Sequence, residues 1–433
     1  SYLQLMSENP DDRFLIAAPT NLLKDEIYYK AKGLDIAVCK TPSLEQIKDE
    51  LPDKIRKNIN RFYKSGQHRL VHPYIEKILR AKDIPCLRKY MEDRNAVMKS
   101  NGSLITTHRY LLNMDEKRLK EFDAIIIDED ILFKSIIPNQ GEITIAELKK
   151  LSADTADSRL SEKIKRLLKL AKDQSCIEVD SFEWDSEDEE LYSFDLPSFC
   201  LAEKFYLRRA SKENKLTEDI VTYLKLPSFK NDVKYIMVSA TVDKKVCCQY
   251  FHGDRIEFHE CKNAKYEGTL YQYPGKSMSR SSIANNPGIV RRLMKHFGMR
   301  DKHTITFMRE KIGHLHFGNT EGSNTLEGQD ILVVGTPYHA DFIYKLAAFT
   351  MDMDFDEDEE VEPQVVAHNG YRFRFTTFKD KYLQAIQFWM IESELEQAVG
   401  RARLLRNSCK VHLFSNFPLS QAKMVDDFDY SKE

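Results

Sequence analysis

Four short apolar runs constrain the fold of this chain: RFLIAAP (13–19), GSLITTH (102–108), FDAIIIDED (122–130) and KYIMVSAT (234–241). Each is rich in branched or aromatic residues and ends in proline, a small polar residue or an acid. Such runs read as strands buried on both faces, as in a parallel sheet. Between them lie segments with helical spacing, such as TNLLKDEIYYKAKG (20–33) with its closing glycine. Strands alternating with helices predict a doubly wound α/β layer. HTITFM (303–308), DILVVGTP (330–337) and CKVHLFSN (409–416) supply strands for a second α/β domain. YQYPGKSMSRSS (271–282), with its Pro, Gly and serines, reads as the lead-in to it. The rhythm breaks between 141 and 230, where charge-rich Lys/Leu patterns predict an inserted helical subdomain. The expected domains are 1–140 together with 231–262, the insertion 141–230, and 263–433.

The 433 residues, 42% hydrophobic and 31% charged, are enough for two or three cored domains and do not suit a disordered chain. No apolar run approaches the ~18 residues of a membrane span, and Ser1–Asn21 lacks the zones of a signal peptide. A cytoplasmic protein without a membrane partner is the expectation. Eight cysteines with no CxxC pair argue against a zinc ribbon and suit a reducing interior. The net charge of −3 sums very uneven parts. Residues 40–109 hold 16 Lys/Arg against 8 Asp/Glu, while DSEDEE (185–190) and DFDEDEE (354–360) concentrate acid. A local basic field is what phosphate binding needs. Phe62, Tyr63, Tyr74, Tyr90 and Tyr110 interleave with those bases. Core packing accounts for most of them, which leaves one or two as stacking faces for a strand.

FDAIIIDED delivers Asp128 and Glu129 at the carboxyl end of a strand, where open α/β sheets bind ligands. Nucleotide hydrolysis needs one acid there to hold Mg²⁺ and a second to orient the attacking water. Asp128, acting through metal-bound water, and Glu129 suit those roles; helix capping is the structural alternative. Pro19, Thr20 and Asn21 after the first run, and Thr106, Thr107 and His108 after the second, end strands where hydrogen bonds to a strand's phosphates are available. Ser239, Ala240 and Thr241 could relay between a nucleotide site and a bound strand, or form a simple turn. In SELEQAVGRARLLR (393–406) an apolar stripe of Leu395, Ala398, Val399 and Ala402 leaves Gln397 and Arg401 on the other face. Alone, that face reads as solvated.

In order along the chain, APTN, TTH, DEDI, SAT, EGQD (327–330) with VVGTPY, and QAVGRAR resemble the motif series of superfamily 2 helicases. The similarity is closer to the XPD/DinG-like group, in which an element like Thr107–Leu112 precedes the acidic strand by a short helix. In that group an EGxD motif also leads into a strand ending as Gly335-Thr336-Pro337-Tyr338 does here. The resemblance covers nearly the whole chain. It implies two RecA-like domains and an ATP-dependent DNA helicase or translocase on single-stranded DNA, with ATP and Mg²⁺ as cofactors and replication or repair proteins as partners. RNA is the less favoured strand. Gln397 and Arg401 match Q-x-x-G-R, which makes Arg401 an arginine finger for the γ-phosphoryl. Leu404 stands where the family usually has a second arginine, so Arg403 and Arg406 both remain candidates for that role. Gly328 and Asp330 fall in the motif that, with Gln397, contacts the nucleotide.

Two departures accompany the resemblance. The phosphate-cradling GxxxxGK[ST] loop is absent, and the family places it about twenty residues before the APT motif, hence upstream of Ser1. SYLQLM then reads as the helix such a loop opens; a degenerate protein that never had the loop is the alternative. The four cysteines of the family's iron–sulfur cluster are also missing; Cys86, with Cys39 at the edge, is all that interval holds, so no cluster is expected. The insertion at 141–230 falls where the family carries an arch-like insert. A helicase-shaped binding subunit without ATP hydrolysis, or a DNA-stimulated ATPase that remodels without unwinding, are the alternative readings.

Overall fold

The computed structural model describes residues 2–184, 191–211, 216–225, 229–251, 253–261, 264–320 and 325–430. The acidic run 185–190 and the expected boundary at 262/263 lie outside the described residues. The chain divides into two compact units, Ser1–Ser239 and Ala240–Glu433, so the division falls inside the SAT motif.

The first unit is built on five parallel strands, labelled here in chain order through the molecule. They are β1 (Phe14–Ala18), β2 (Val38–Lys40), β3 (Ser103–Thr107), β4 (Ala124–Asp128) and β9 (Tyr235–Val238), arranged β2–β3–β1–β4–β9. All four apolar runs of the first domain are strands of this one sheet. FLIAA of β1 is buried at every position, because neighbours flank it and helices cover it. Ile16 lies opposite Ile105 and Ile126, and all three join Phe14, Ile27 and Ala31 in one core.

Two excursions leave this sheet. Between β2 and β3 run helices Asp53–Lys64, Val71–Ala81 and Pro85–Lys99, with a core of Ile59, Val71, Ile75, Leu87 and Met91. Phe62, Tyr63, Tyr74 and Tyr90 pack against that core. Phe62 meets Tyr74 edge-on at 5.3 Å, and Tyr90 stacks on His72 at 6.1 Å. These four aromatics thus turn inward, while Lys57, Arg61, Lys64, Lys77, Arg80 and Lys89 are exposed. The helical period puts the two classes on opposite faces.

The second excursion carries helices Ile145–Asp154, Ser158–Leu170 and Leu196–Leu201, and also a sheet that the sequence reading did not place. Strands β5 (Gln140–Thr144), β6 (Cys176–Glu178), β7 (Lys204–Arg208) and β8 (Ile220–Leu224) form it antiparallel in the order β5–β8–β7–β6. Its strands are three to five residues long, too short for a clear alternating signal. Gly141 of β5 passes directly over Tyr223 of β8, where a Cβ would come within 2.2 Å of the ring. The two excursions touch at Gly66: its φ is +73°, and a Cβ there would lie 2.1 Å from Asp195 Oδ1. Asp195 is buried and paired with Lys225 at 2.6 Å.

The second unit has its own five-stranded parallel sheet, β11–β12–β15–β10–β16. Its members are β10 (Thr269–Tyr273), β11 (Thr304–Ile305), β12 (Ile331–Val334), β15 (Lys410–Phe414) and β16 (Lys423–Met424). An antiparallel hairpin of β13 (Glu362–His368) and β14 (Tyr371–Thr377) packs its inner face on this unit's core. Its two-residue turn is Asn369-Gly370, both with positive φ, the Asn-Gly signature of a tight hairpin. The helix Lys381–Gly400 is buried on nearly every side, from Leu383 through Trp389 to Val399. Gln397 and Arg401, which read as a solvated face when the stretch is taken alone, are buried. Among the described residues no helix is long and apolar enough to cross a membrane.

Candidate active site

Strand β4 carries Ile125, Ile126 and Ile127 through the sheet interior and brings Asp128 to its carboxyl end, between β1 and β9. Asp128 is half-buried, and its Oδ2 accepts a hydrogen bond from the Tyr2 hydroxyl at 3.1 Å. Burial, and then the neighbouring Glu129, push its pKa up to about 6; the Tyr2 hydroxyl pulls in the other direction. Glu129 has a φ of +73°, a left-handed conformation rare for a residue with a side chain, and its N–H donates to Val238 O at 2.8 Å. Strain of this kind persists where the surroundings over-determine it, and it concentrates at functional sites. Asp130 does something different. Fully buried, its Oδ1 accepts from Leu132 N at 3.0 Å and Phe133 N at 3.3 Å, capping the next turn. Of three consecutive acids, two therefore remain available at the strand end and one is structural.

His108 braces this arrangement. It is fully buried, with Nε2 2.9 Å from the Asp128 carbonyl and Nδ1 3.0 Å from Ser135 Oγ. A carbonyl only accepts, so Nε2 holds the proton and Nδ1 accepts from the serine. Burial depresses the pKa to about 4, which keeps the ring neutral at pH 7. The side chain thus ties the end of β3 to the backbone of Asp128. His108→Ala should cost roughly 2–4 kcal/mol in chemical denaturation, from a cavity plus two unsatisfied buried groups. A loss below about 0.5 kcal/mol would show that the brace is dispensable.

The other expected phosphate contacts fall into two groups. Pro19, Thr20, Asn21 and Thr107 are half-exposed at the carboxyl ends of β1 and β3. Thr20 caps the helix Asn21–Gly33 by accepting from Leu23 N at 3.2 Å, and Thr107 caps His108–Leu112 by accepting from Tyr110 N at 3.3 Å. Thr106 and His108 are sealed inside, Thr106 through a 2.9 Å hydrogen bond to Thr41, so a phosphate oxygen reaches neither side chain in this conformation. Sequence reasoning missed Lys24. Fully buried, it donates to Asn21 Oδ1 at 2.9 Å, Thr41 O at 2.7 Å and Gln46 Oε1 at 3.4 Å. It fixes the Asn21 side chain, and burial lowers its pKa to about 8. A lysine one turn after the Asn of TNLLK was the available signal.

In the second unit the remaining motifs converge. The helix Lys381–Gly400 ends at the Gly of QAVGRAR, and Arg401 follows as its cap residue. Gln397 and Arg401 are 5% and 7% exposed, and Arg401 Nε donates to Gln397 O at 3.2 Å. Arg403 has a φ of +57°. Gly328 N donates to Ala402 O at 3.1 Å, and Asp330 Oδ1 accepts from Lys410 N at 2.7 Å. The EGQD and QAVGRAR segments are therefore held side by side. Ser239 closes the first unit, while Ala240 and Thr241 open the second. Thr241 O accepts from Ser393 Oγ on the Lys381–Gly400 helix at 3.3 Å.

No family model and no curated protein matches the chain. Solved structures do. An XPD helicase superposes with a TM-score of 0.50 at 13% identity, covering 94% of this chain and 88% of that one. The fold is XPD-like. Xpd4 of S. tokodaii matches with a TM-score of 0.46 at 12% identity, covering 98% of this chain and 93% of that chain. An apo XPD matches at 0.39 and 13%, covering 96% and 98%. The parallel sheets of the two units are the two RecA-like layers of the XPD-like fold. At 13% identity the likeness is one of fold, and the chemistry rests on the side chains described above.

Proposed function

We propose that the chain is an ATP-dependent helicase or translocase acting on single-stranded DNA. The observation that carries the reading is the pair Asp128 and Glu129 at the carboxyl end of β4, one with a raised pKa and the other held in a left-handed conformation. Mg²⁺ fits Asp128, because a divalent cation would relieve the burial and repulsion that hold this carboxyl near pH 6. Bound with ATP, it would supply positive charge beside the phosphates. Asp128 holds that charge, with Tyr2 and His108 fixing its side chain and backbone. Glu129 orients the attacking water. Gln397, Gly328 and Asp330 contact the nucleotide, and Arg401 or Arg403 meets the charge developing on the γ-phosphoryl. Pro19, Thr20, Asn21 and Thr107 contact the strand, and Ser239–Thr241 couple nucleotide state to it.

The test is ATP turnover with and without single-stranded DNA, in a chain that carries a GxxxxGK[ST] loop of the kind the helicase resemblance implies. Strand-stimulated turnover is the expected result. Strand binding without turnover would sink the motor reading and leave a binding subunit. Turnover should also show an acid limb. With Mg²⁺ below saturation, protonation of Asp128 should reduce it as pH falls through about 6, and Asp128→Asn should remove it at every pH. Turnover unchanged between pH 7.5 and about 5.5 would place the metal elsewhere.

A further inference from the structure

Above the carboxyl end of β10, in the second unit, lies an open cleft of about 490 Å³. Lys276, four serines and two asparagines line it, and no carboxylate does. None of these residues belongs to the motifs assigned above. We propose that this cleft is a phosphate-binding site that holds one phosphodiester of a nucleic-acid strand.

The hydrogen bonds inside the cleft orient its polar groups as donors. Ser277 Oγ already accepts from Ser279 N at 3.2 Å, and Ser279 Oγ from Ser282 N at 3.1 Å. A hydroxyl whose oxygen is so engaged has its own proton left to give, although Ser279 and Ser281 share a 3.0 Å hydrogen bond that leaves one proton between them. Asn286 Oδ1 accepts from Arg292 Nη2 at 2.7 Å, which leaves its amide hydrogens for a ligand. Lys276 Nζ sits 4.9 Å from the Tyr430 ring centroid and has no carboxylate partner among the described residues. Hydroxyl protons, an amide and an ammonium without a counter-ion are the complement of an anion.

The loop bearing these groups is anchored. Met278 is 1% exposed with a φ of +47°, and its carbonyl accepts from Thr336 N at 3.0 Å; Thr336 Oγ1 donates to Ser277 O. The donors are therefore set in place before a ligand arrives, which lowers the ordering cost of binding. The surrounding chain favours a polyanion over a small one. Between Glu267 and Asp301 there are six Lys or Arg and no Asp or Glu, in a protein whose net charge is −3. A cleft open to solvent within such a stretch suits a phosphate that belongs to a longer backbone. Assigning that backbone to a nucleic acid rests on the proposed function.

The experiment compares wild type, Lys276→Glu and the charge-matched Lys295→Glu, whose lysine is exposed on the neighbouring Ile289–His296 helix. Binding of a labelled single-stranded oligonucleotide is followed by anisotropy across a salt series. Lys276→Glu should weaken binding about tenfold and flatten the log–log salt slope by about 0.7, the share of one phosphate on a single strand. Lys295→Glu should change the slope by less than half as much. Ser277→Ala, which keeps the net charge, should weaken binding a few-fold. Each variant's thermal melt reports folding separately. Equal effects of the two lysine variants would overturn the proposal. So would a cleft that takes inorganic phosphate instead, seen as stabilisation of wild type but not of Lys276→Glu, with strand binding untouched. Failure of wild type to bind any strand sinks this site and the motor together, whereas strand binding without ATP turnover sinks the motor alone.

Discussion

Glu129→Gln should leave the fold intact and lower strand-stimulated ATP turnover by at least ~10²-fold, while Glu129→Gly should lose the same turnover and melt at a higher temperature. The two substitutions separate what the side chain does from what its backbone costs. Glutamine keeps the length and hydrogen-bonding capacity of the side chain and removes only the charge that orients and deprotonates a water. Glycine removes the side chain and also the steric penalty of a φ of +73°, roughly 1–2 kcal/mol for a residue with a Cβ. The conformation is not incidental, because the Glu129 N–H is fixed to Val238 O on the neighbouring strand. In a domain of this size each kcal/mol corresponds to about 2–4 °C. Turnover undiminished in Glu129→Gln would remove the catalytic assignment. A glycine variant that melts below wild type would show that the strain is repaid by contacts of the side chain itself.

The sheets were legible in the sequence to the extent that their strands are uninterrupted apolar runs. FLIAA, SLITT, AIIID and YIMV each declare burial by composition alone, and their order predicted the first parallel layer. Pro, Gly and serines mark YQYPGKSMSRSS as a lead-in, yet its first three residues close strand β10. Gln272 is fully buried. Its amide donates to Ser415 O and Phe417 O and accepts from Leu419 N, partners more than 140 residues away that no local pattern can announce. The same limit hid the roles of His108 and Lys24. Both are polar side chains at strand ends whose partners are backbone carbonyls and distant side chains, so they resemble ligand-binding groups when only their neighbours in sequence are visible. Asp128 and Glu129 were legible because the strand that carries them is. Which of DED would be spent on a cap was decided by backbone N–H groups two and three residues further on.

Arg401 is where structural and catalytic demands overlap most, and substitution should pull them apart. It is 7% exposed, caps the Lys381–Gly400 helix and donates from Nε to Gln397 O, so some stability rests on it. A cation at a helix carboxyl end contributes roughly 0.3–1 kcal/mol. Arg401→Lys keeps that charge and loses the planar fork, whereas Arg401→Ala loses both. If the guanidinium meets the γ-phosphoryl, both variants should lose about 10³-fold or more in turnover, because an ammonium does not reproduce the bidentate geometry. Only the alanine variant should melt appreciably lower. Arg401 lies in the second compact unit and Asp128 and Glu129 in the first. Turnover that follows the folded fraction in both variants would reduce Arg401 to a helix cap. In that outcome Arg403 becomes the finger to test. Its own left-handed φ of +57° makes Arg403→Gly the informative change, since it should relieve strain while removing the guanidinium.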